Sequence, residues 1–427
     1  MFRVCVVGLG KIGLPLAAQY ASRGCRVVGC DIDEAIIMAV NRGRSPVKNE
    51  PGLQEKLERA VEQDLFKATI DTLGAVRDSD IIVVIVPLVV DDQKHIDYTT
   101  VDAATRSVAK GLQKGSLVIY ETTLPVGTTR NRLGPMLAQG ASLRLGKDFS
   151  LAFSPERVYS GRVFADLNKY PKIVGGIDAA SLNRAVAFYS QVLDAEVMKM
   201  PDTDTAEFVK LIETTYRNVN IALANEFAKF AAEWNIDVME AVQAANTQPF
   251  SHIHRPGVGV GGHCIPVYPY FLINNSKGNM ELARLAQRIN DGMSQYAVEL
   301  LNRKLGQLRS KTVLILGLAY RENVKETAFT TAKLLIDVLK RKGAKVLVHD
   351  PLFSREETEH FGAPSADLSG PLSVDAIIVH SYHDQYKNLN FSIFDGCRVV
   401  LDGRDILDNE CREHIESLGI DYVGIGR

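Results

Sequence analysis

The sequence lacks an excess of charge of either sign. Lysine and arginine total 49 against 51 aspartates and glutamates in 427 residues, which removes the broad basic field expected of a nucleic-acid or anionic-membrane binder. Cys-x-x-Cys pairs are also missing: the six cysteines stand at 5, 25, 30, 264, 397 and 411, with no spacing typical of a secreted disulfide framework. Reduced thiols in a cytoplasmic protein are therefore expected. Long apolar runs are absent too. The longest, residues 81–90, contains Pro87 and is too short to span a bilayer as a helix. A strand-like run beginning at Arg3 reads as leaving no room for a signal peptide. What remains is an ordinary globular composition, 46% hydrophobic and 23% charged, at a length that fits two or three domains.

Chemistry enters at the start of the chain. A β-branched run, Arg3–Val7, leads into Gly8-Leu9-Gly10-Lys11-Ile12-Gly13, then a helical pattern to about Arg23, then a second strand-like run, Arg26–Cys30, ending at Asp31. Strand, GxGxxG, helix, strand and acid in that order form the dinucleotide fingerprint. Gly8, Gly10 and Gly13 let backbone approach a pyrophosphate at a helix N-terminus, with Ile12 in the same turn. Asp31 would accept the adenosine ribose hydroxyls and repel a 2′-phosphate, which favours NAD over NADP. Strand-like segments at 81–86, 117–121 and 150–153 extend a doubly wound sheet, and ligands lie beyond the carboxyl ends of such strands. Pro87 and Thr123 then face the cofactor, and Glu156 follows the last of these strands. Taken alone, Glu156 reads more readily as an ion pair with Arg157 or a solvated charge.

Pro201–Glu207 reads as a helix start with Asp204 and Glu207 at capping-box spacing. No glycine or proline follows until Pro249, which predicts a helix of about 30 residues, roughly 45 Å long, to about Trp234. Lys210, Thr214, Arg217, Asn218, Ile221 and Asn225 share one face of it, a stripe that either meets water or lines a site. Beyond the helix, Gly257, Gly259, Gly261 and Gly262 crowd up to Cys264. Glycines cost chain entropy and are kept where backbone turns sharply or lies against a ligand. Cys264 is thus a candidate nucleophile, although a free cysteine is more commonly a small buried apolar residue.

Past residue 310, Thr312–Leu316 enters Gly317-Leu318-Ala319-Tyr320, a degenerate echo of the first fingerprint. A helix at 330–342, a strand at 345–349 ending in Asp350, and strands at 376–380 and 398–401 complete a second βαβ arrangement without a full phosphate loop. The fold class is α/β: two Rossmann-like doubly wound parallel-sheet domains, 1–200 and 310–427, joined by a long central helical segment, 201–309.

These pieces together resemble the nucleotide-sugar 6-dehydrogenase family over essentially the whole chain. The matching residues are the fingerprint with Asp31, Glu50-Pro51-Gly52-Leu53, Glu121-Thr122-Thr123-Leu124-Pro125 and Ser154-Pro155-Glu156-Arg157. They continue with Ala206-Glu207-x-x-Lys210-Leu211, Asn225-Glu226, Gly261-Gly262-His263-Cys264 and Gly317-Leu318-Ala319-Tyr320. The resemblance implies oxidation of the 6-hydroxymethyl group of a UDP- or GDP-sugar to a carboxylate, with two NAD⁺ and a covalent cysteine intermediate. It makes Cys264 the residue that captures the aldehyde, Lys210 the group that binds the reacting oxygen, and Glu156 and Thr123 the groups that place hydrolytic water. Gly259 and Gly261 would present N–H groups to the sugar nucleotide, with Arg157, Tyr268 and Tyr320 on the substrate side. Arg255 is added here as a charge for the diphosphate. The cofactor is NAD, no metal is implied, the partner is a UDP-sugar, and a homodimer formed through the central helix is expected.

Two departures from the family pattern bear on mechanism. Thr214 replaces an asparagine one helical turn after Lys210, and Tyr268 replaces an aspartate four residues after Cys264. Thr214 can still hydrogen-bond, whereas Tyr268 supplies no carboxylate near neutral pH. His263 resembles the branch acting on UDP-N-acetylhexosamines, such as UDP-N-acetylmannosamine or UDP-N-acetylglucosamine. The alternatives are a UDP-glucose 6-dehydrogenase and an alcohol dehydrogenase that stops at the aldehyde. A zinc enzyme using His252, His254, His263 and Cys264 is a further class, but no metal-site spacing frames these residues.

Overall fold

The computed structural model describes all 427 residues, Met1–Arg427. They form two compact units, Met1–Glu213 with Tyr270–Lys277, and Thr214–Pro269 with Gly278–Arg427.

In the first unit, short β-branched runs form strands. These are β1 (Arg3–Val7), β2 (Arg26–Cys30), β3 (Phe66–Thr69), β4 (Ile81–Val84), β5 (Leu117–Tyr120), β6 (Ser150–Phe153), β7 (Lys172–Gly176) and β8 (Val197–Met200). One sheet takes them in the order β8-β7-β6-β5-β4-β1-β2-β3. β1 to β6 are mutually parallel in the dinucleotide-binding order. Their near-continuous apolar character follows from burial on both faces: Val4, Val6, Ile81, Val83 and Ile119 pack with Leu14 and Ala17 of the helix Gly13–Ser22 and with Phe188.

The sheet is not parallel throughout, as the sequence led us to expect. β7 runs antiparallel to β6, and β8 follows β7. The chain turns back at the carboxyl end of β6 instead of crossing the sheet face, and a β-branched run carries no signature of its direction. The reversal sets the start of β7, Lys172, beside the segment that leaves β6.

The helix Thr203–Glu233 has 31 residues, as its lack of glycine and proline predicted. Its cap differs from the expectation. Asp202 Oδ1 accepts from Thr205 N at 2.8 Å, while Asp204 pairs with Arg130. The buried Glu207 accepts from Gly127 N and Thr129 N at 2.6 and 2.8 Å. The acid expected in a local box therefore ties down a distant turn.

In the second unit, β9 (Thr312–Leu316), β10 (Lys345–His349), β11 (Ala376–Val379), β12 (Val399–Asp402) and β13 (Asp421–Gly424) form a fully parallel sheet in the order β10-β9-β11-β12-β13. This is the other common doubly wound order. The helix Thr331–Arg341 buries Leu335, Ile336 and Leu339 on it, and Glu281–Leu305 adds Met293, Ala297 and Leu301 to the same core. No helix is long and apolar enough to cross a membrane.

Candidate active site

The first glycine loop uses its three glycines for three different reasons. Gly8 has φ +102°, and a Cβ there would lie 2.7 Å from the Ile85 carbonyl oxygen. A Cβ on Gly13 would lie 2.8 Å from Ile85 Cγ2, so this glycine allows close packing. Gly10 faces open space, with nothing within 4 Å, which leaves its backbone approachable. Asp31 Oδ2 accepts from Leu9 N at 2.8 Å and Oδ1 from Asp33 N at 3.1 Å. Half-buried Asp31 keeps acceptor capacity toward solvent. Ile12 lies half-buried at the entry to the helix Gly13–Ser22. Thr122 donates its hydroxyl to Val86 O, which fastens the loop carrying buried Thr123 to the one carrying exposed Pro87. An open cradle at a helix N-terminus, with an unsealed acid at the end of β2, fits NAD.

Glu156 is neither paired with Arg157 nor solvated. Its Oε2 accepts from Lys172 Nζ at 2.7 Å, and its Oε1 accepts from the backbone N–H of Arg157 and Val158 at 2.7 and 3.2 Å. Lys172 also reaches Glu121 Oε2 at 3.3 Å. Glu121 Oε1 accepts hydroxyls from Tyr20, at 3.0 Å, and from Tyr189. Burial pushes the Glu156 carboxyl up, but Lys172, the Arg157 N–H and the charge of Lys210 outweigh it and hold its pKa below the usual glutamate value. For Glu121 burial wins and its pKa rises. Arg157 instead pairs with Glu213 and donates to Pro171 O at 3.2 Å.

Half-buried Lys210 lies close enough to Glu156 to act on its ionisation. The stripe beyond it neither meets water nor lines a site along its whole length; its asparagines are buried. Asn225 Nδ2 donates to Asn290 Oδ1 at 2.9 Å, and Asn290 Nδ2 donates to Asn218 Oδ1 at 2.8 Å. Asn225 Oδ1 accepts from Gly257 N at 2.9 Å. These buried amides are a structural ladder that holds the start of the glycine loop, and Thr214 is buried on the same helix.

The loop itself is pinned along its length. Val258 N donates to Gly403 O at 3.0 Å, Ser294 Oγ to Val258 O at 2.8 Å and Gly262 N to Ala328 O at 2.8 Å. A Cβ on Gly259 would lie 2.7 Å from Thr331 Cγ2, and one on Gly261 would lie 2.6 Å from Tyr320 Cβ. Tyr320 thus packs on the loop it was expected to serve. The His263 ring pairs with buried Glu326. Cys264 is a half-exposed free thiol, and its carbonyl accepts from Tyr268 N at 2.8 Å, so Tyr268 follows it by one helical turn. Arg255 is exposed. No group of three or more His, Cys, Asp or Glu side chains is arranged to hold a metal ion.

Sequence reasoning missed Arg404. It follows β12 closely, where the carboxyl-end rule places ligands. Its Nε donates to His380 O at 3.4 Å, while Nη2 is buried without a partner, and burial lowers the guanidinium's pKa. An unpaired buried donor on this half-buried cation suits an anion.

Here the second fingerprint diverges from the first. Gly317 repeats the turn, with φ +90°, and Asp350 Oδ2 accepts from Leu318 N and Ala319 N at 2.7 and 3.0 Å. His383 Nε2 then closes on the same oxygen at 2.9 Å, with both side chains 0% exposed. The acid is sealed.

One open dinucleotide cradle, a parallel second sheet followed by a guanidinium whose buried Nη2 lacks a partner, and a half-exposed thiol on a pinned glycine loop define an NAD-dependent oxidoreductase. The NAD-binding, central and UDP-binding domains of the UDP-glucose/GDP-mannose dehydrogenase family match residues 2–193, 204–292 and 314–409, so the chain belongs to that family and is a nucleotide-sugar dehydrogenase. It is 35% identical to the UDP-N-acetyl-D-mannosamine dehydrogenase of Pyrococcus horikoshii, over 100% of this chain and 99% of that one. The corresponding enzyme of Methanocaldococcus jannaschii is 34% identical, over 100% and 97%. The solved structure of the Pyrococcus horikoshii UDP-N-acetyl-D-mannosamine dehydrogenase superposes with a TM-score of 0.89 at 34% identity, over 100% of this chain and 99% of that one.

Proposed function

We propose that this protein oxidises C6 of UDP-N-acetylmannosamine to the carboxylate in two successive oxidations at one NAD site. The observation that carries the reading is Cys264, a half-exposed thiol at the end of a glycine loop pinned by backbone, hydroxyl and amide bonds. The names of the most similar relatives support the sugar, as does the resemblance of His263, next to Cys264, to the branch acting on UDP-N-acetylhexosamines.

NAD⁺, which Gly8, Gly10, Gly13 and Asp31 would hold, would supply the hydride acceptor for each oxidation. Lys210 binds the C6 oxygen and stabilises the negative charge that develops there. The Cys264 thiolate adds to the aldehyde carbon to form a thiohemiacetal, whose loss of hydride leaves a thioester. Water then displaces the thiol and yields the carboxylate. Glu156, ionised and held by Lys172 and two backbone N–H groups with acceptor capacity left on Oε2, suits orienting that water with Thr123 better than taking its proton outright. Thr214 and Tyr268 stand one turn from Lys210 and Cys264 and contact the substrate side of each. Backbone N–H groups at Gly259 and Gly261, with Arg157, Arg255, Tyr320 and Arg404, bind the UDP-sugar.

The working unit is a homodimer. Phe208, Ile212, Tyr216, Leu223, Phe227 and Phe230 leave an exposed apolar stripe along Thr203–Glu233, and a second copy covers it.

The test is a panel of UDP-, GDP- and dTDP-sugars followed by NADH absorbance, with Cys264→Ala alongside. UDP-N-acetylmannosamine is expected to give the highest kcat/KM, and the variant to lose turnover by at least ~10³-fold. Full turnover by Cys264→Ala, or a preference for UDP-glucose, would overturn the mechanism or the sugar respectively.

A further inference from the structure

The buried ion network behind Glu156 has no part in the steps above. Two carboxylates and one ammonium leave one net negative charge in a site where an isolated ion costs several kcal/mol. The arrangement is asymmetric. Glu121 is 0% exposed and Lys172 4%, whereas Glu156 keeps 10%, so the network meets solvent mainly through Glu156. Glu121 anchors the ammonium from behind with help from the Tyr20 and Tyr189 hydroxyls, and Lys172 Nζ lies 5.0 Å from the Tyr189 ring centre. The shorter bond, 2.7 Å, goes forward to Glu156 Oε2. With Oε1 taken by two backbone N–H groups, Glu156 has one orientation.

Resting on the function proposed above, we infer that Lys172 is a positioning residue for thioester hydrolysis: held by Glu121, it fixes Glu156 as an oriented carboxylate, and it acts on the reaction only through Glu156. The groups that face Glu156 are Lys172 from β7, Glu121 from the end of β5, Lys210 from Thr203–Glu233, Tyr20 from Gly13–Ser22 and Tyr189 from the helix Ala179–Val192. Lys172 is the nearest cation. Burial lowers its own pKa, but the two glutamates outweigh this and raise it, so it stays charged while Glu156 titrates.

Lys172→Met is compared with the double variant Lys172→Met/Glu121→Gln, which keeps one net negative charge and leaves an acceptor for the two tyrosines. Wild type is first shown to make two NADH per UDP-sugar; if it makes none, the proposed function itself fails and this inference falls with it. Given that activity, both variants are expected to keep a rapid burst of two NADH per Cys264 and to accumulate the thioester, seen by intact mass. Steady-state kcat should drop ~10–100-fold, and the acid limb of its pH profile should move upward. In a Glu156→Gln background, Lys172→Met should add no further loss. An unmoved acid limb in the folded double variant, or losses that multiply across Lys172 and Glu156, would overturn the inference.

Discussion

The chain builds one device twice. In each unit a strand runs into a glycine with positive φ, the loop N–H groups turn onto an aspartate at the end of the neighbouring strand, and that glycine's own N–H bonds to the last residue of that strand, Cys30 O or His349 O, at 2.8 Å. The difference lies in what else reaches the acid. Asp31 is half-buried with open acceptor capacity, whereas Asp350 is sealed by His383. Opposite Gly8 stands no buried histidine, but at Gly317 the ring of His380 is wedged between Gly317 O, at 3.1 Å, and the Thr331 hydroxyl, at 2.8 Å. The same backbone thus serves cofactor binding in one place and internal cohesion in the other. Burial of one carboxylate decides which.

The same truncation should therefore cost stability in one unit and affinity in the other. Asp350→Ala strands His383 and three backbone N–H groups, those of Leu318, Ala319 and Leu352, and should lower stability by about 3–5 kcal/mol, read as a fall in the thermal midpoint. Acid exposes the second largest effect. Burial, with Arg404 adding to it, pushes His380 down to about 3, so the folded state holds it neutral while the unfolded chain binds a proton near the ordinary value. The stability it contributes is complete above roughly pH 6.5 and is lost as pH falls from there toward 3, on the order of a few kcal/mol. Denaturant titrations at neutral and acid pH should show a shallower decline in His380→Gln than in wild type.

Asp31→Ala should raise the Kd for NAD⁺ ~10–100-fold by calorimetry, about 1.4–2.8 kcal/mol, with a nearly unchanged thermal midpoint. An equal fall in stability for Asp31→Ala and Asp350→Ala would erase the distinction. The smallest effect belongs to Gly10→Ala, whose added methyl meets nothing in the protein. Its stability should stay within about 0.5 kcal/mol of wild type, while NAD⁺ affinity falls because the methyl occupies the approach of the pyrophosphate.

What was legible in the sequence was local. The fingerprint, the strand runs and the 31-residue helix each follow from spacing within one window. The approach of Tyr20, Glu121, Glu156, Lys172 and Tyr189 does not, because these residues come from five separate segments, and it rests on a strand reversal that side-chain pattern does not encode. The amide ladder was half visible: the stripe follows from helical spacing, but Asn290, which turns it from a wet face into a buried one, lies on another helix. Arg404 was missed because one arginine after a strand is common, and only its unpaired buried Nη2 marks it. The roles assigned to Cys264, Lys210 and Glu156 came from resemblance. The structure adds the reason Glu156 stays ionised.

On the proposed function, one open cradle and one sealed copy put both hydrides through the same site, in sequence, with Cys264 proposed to hold the sugar between them. The most direct measurement is the amount of NADH formed when UDP-N-acetylmannosamine is limiting and NAD⁺ is in excess. Two NADH per sugar, with the carboxylate as product, are expected. A plateau at one NADH per sugar, with free aldehyde in solution, would contradict the covalent second oxidation.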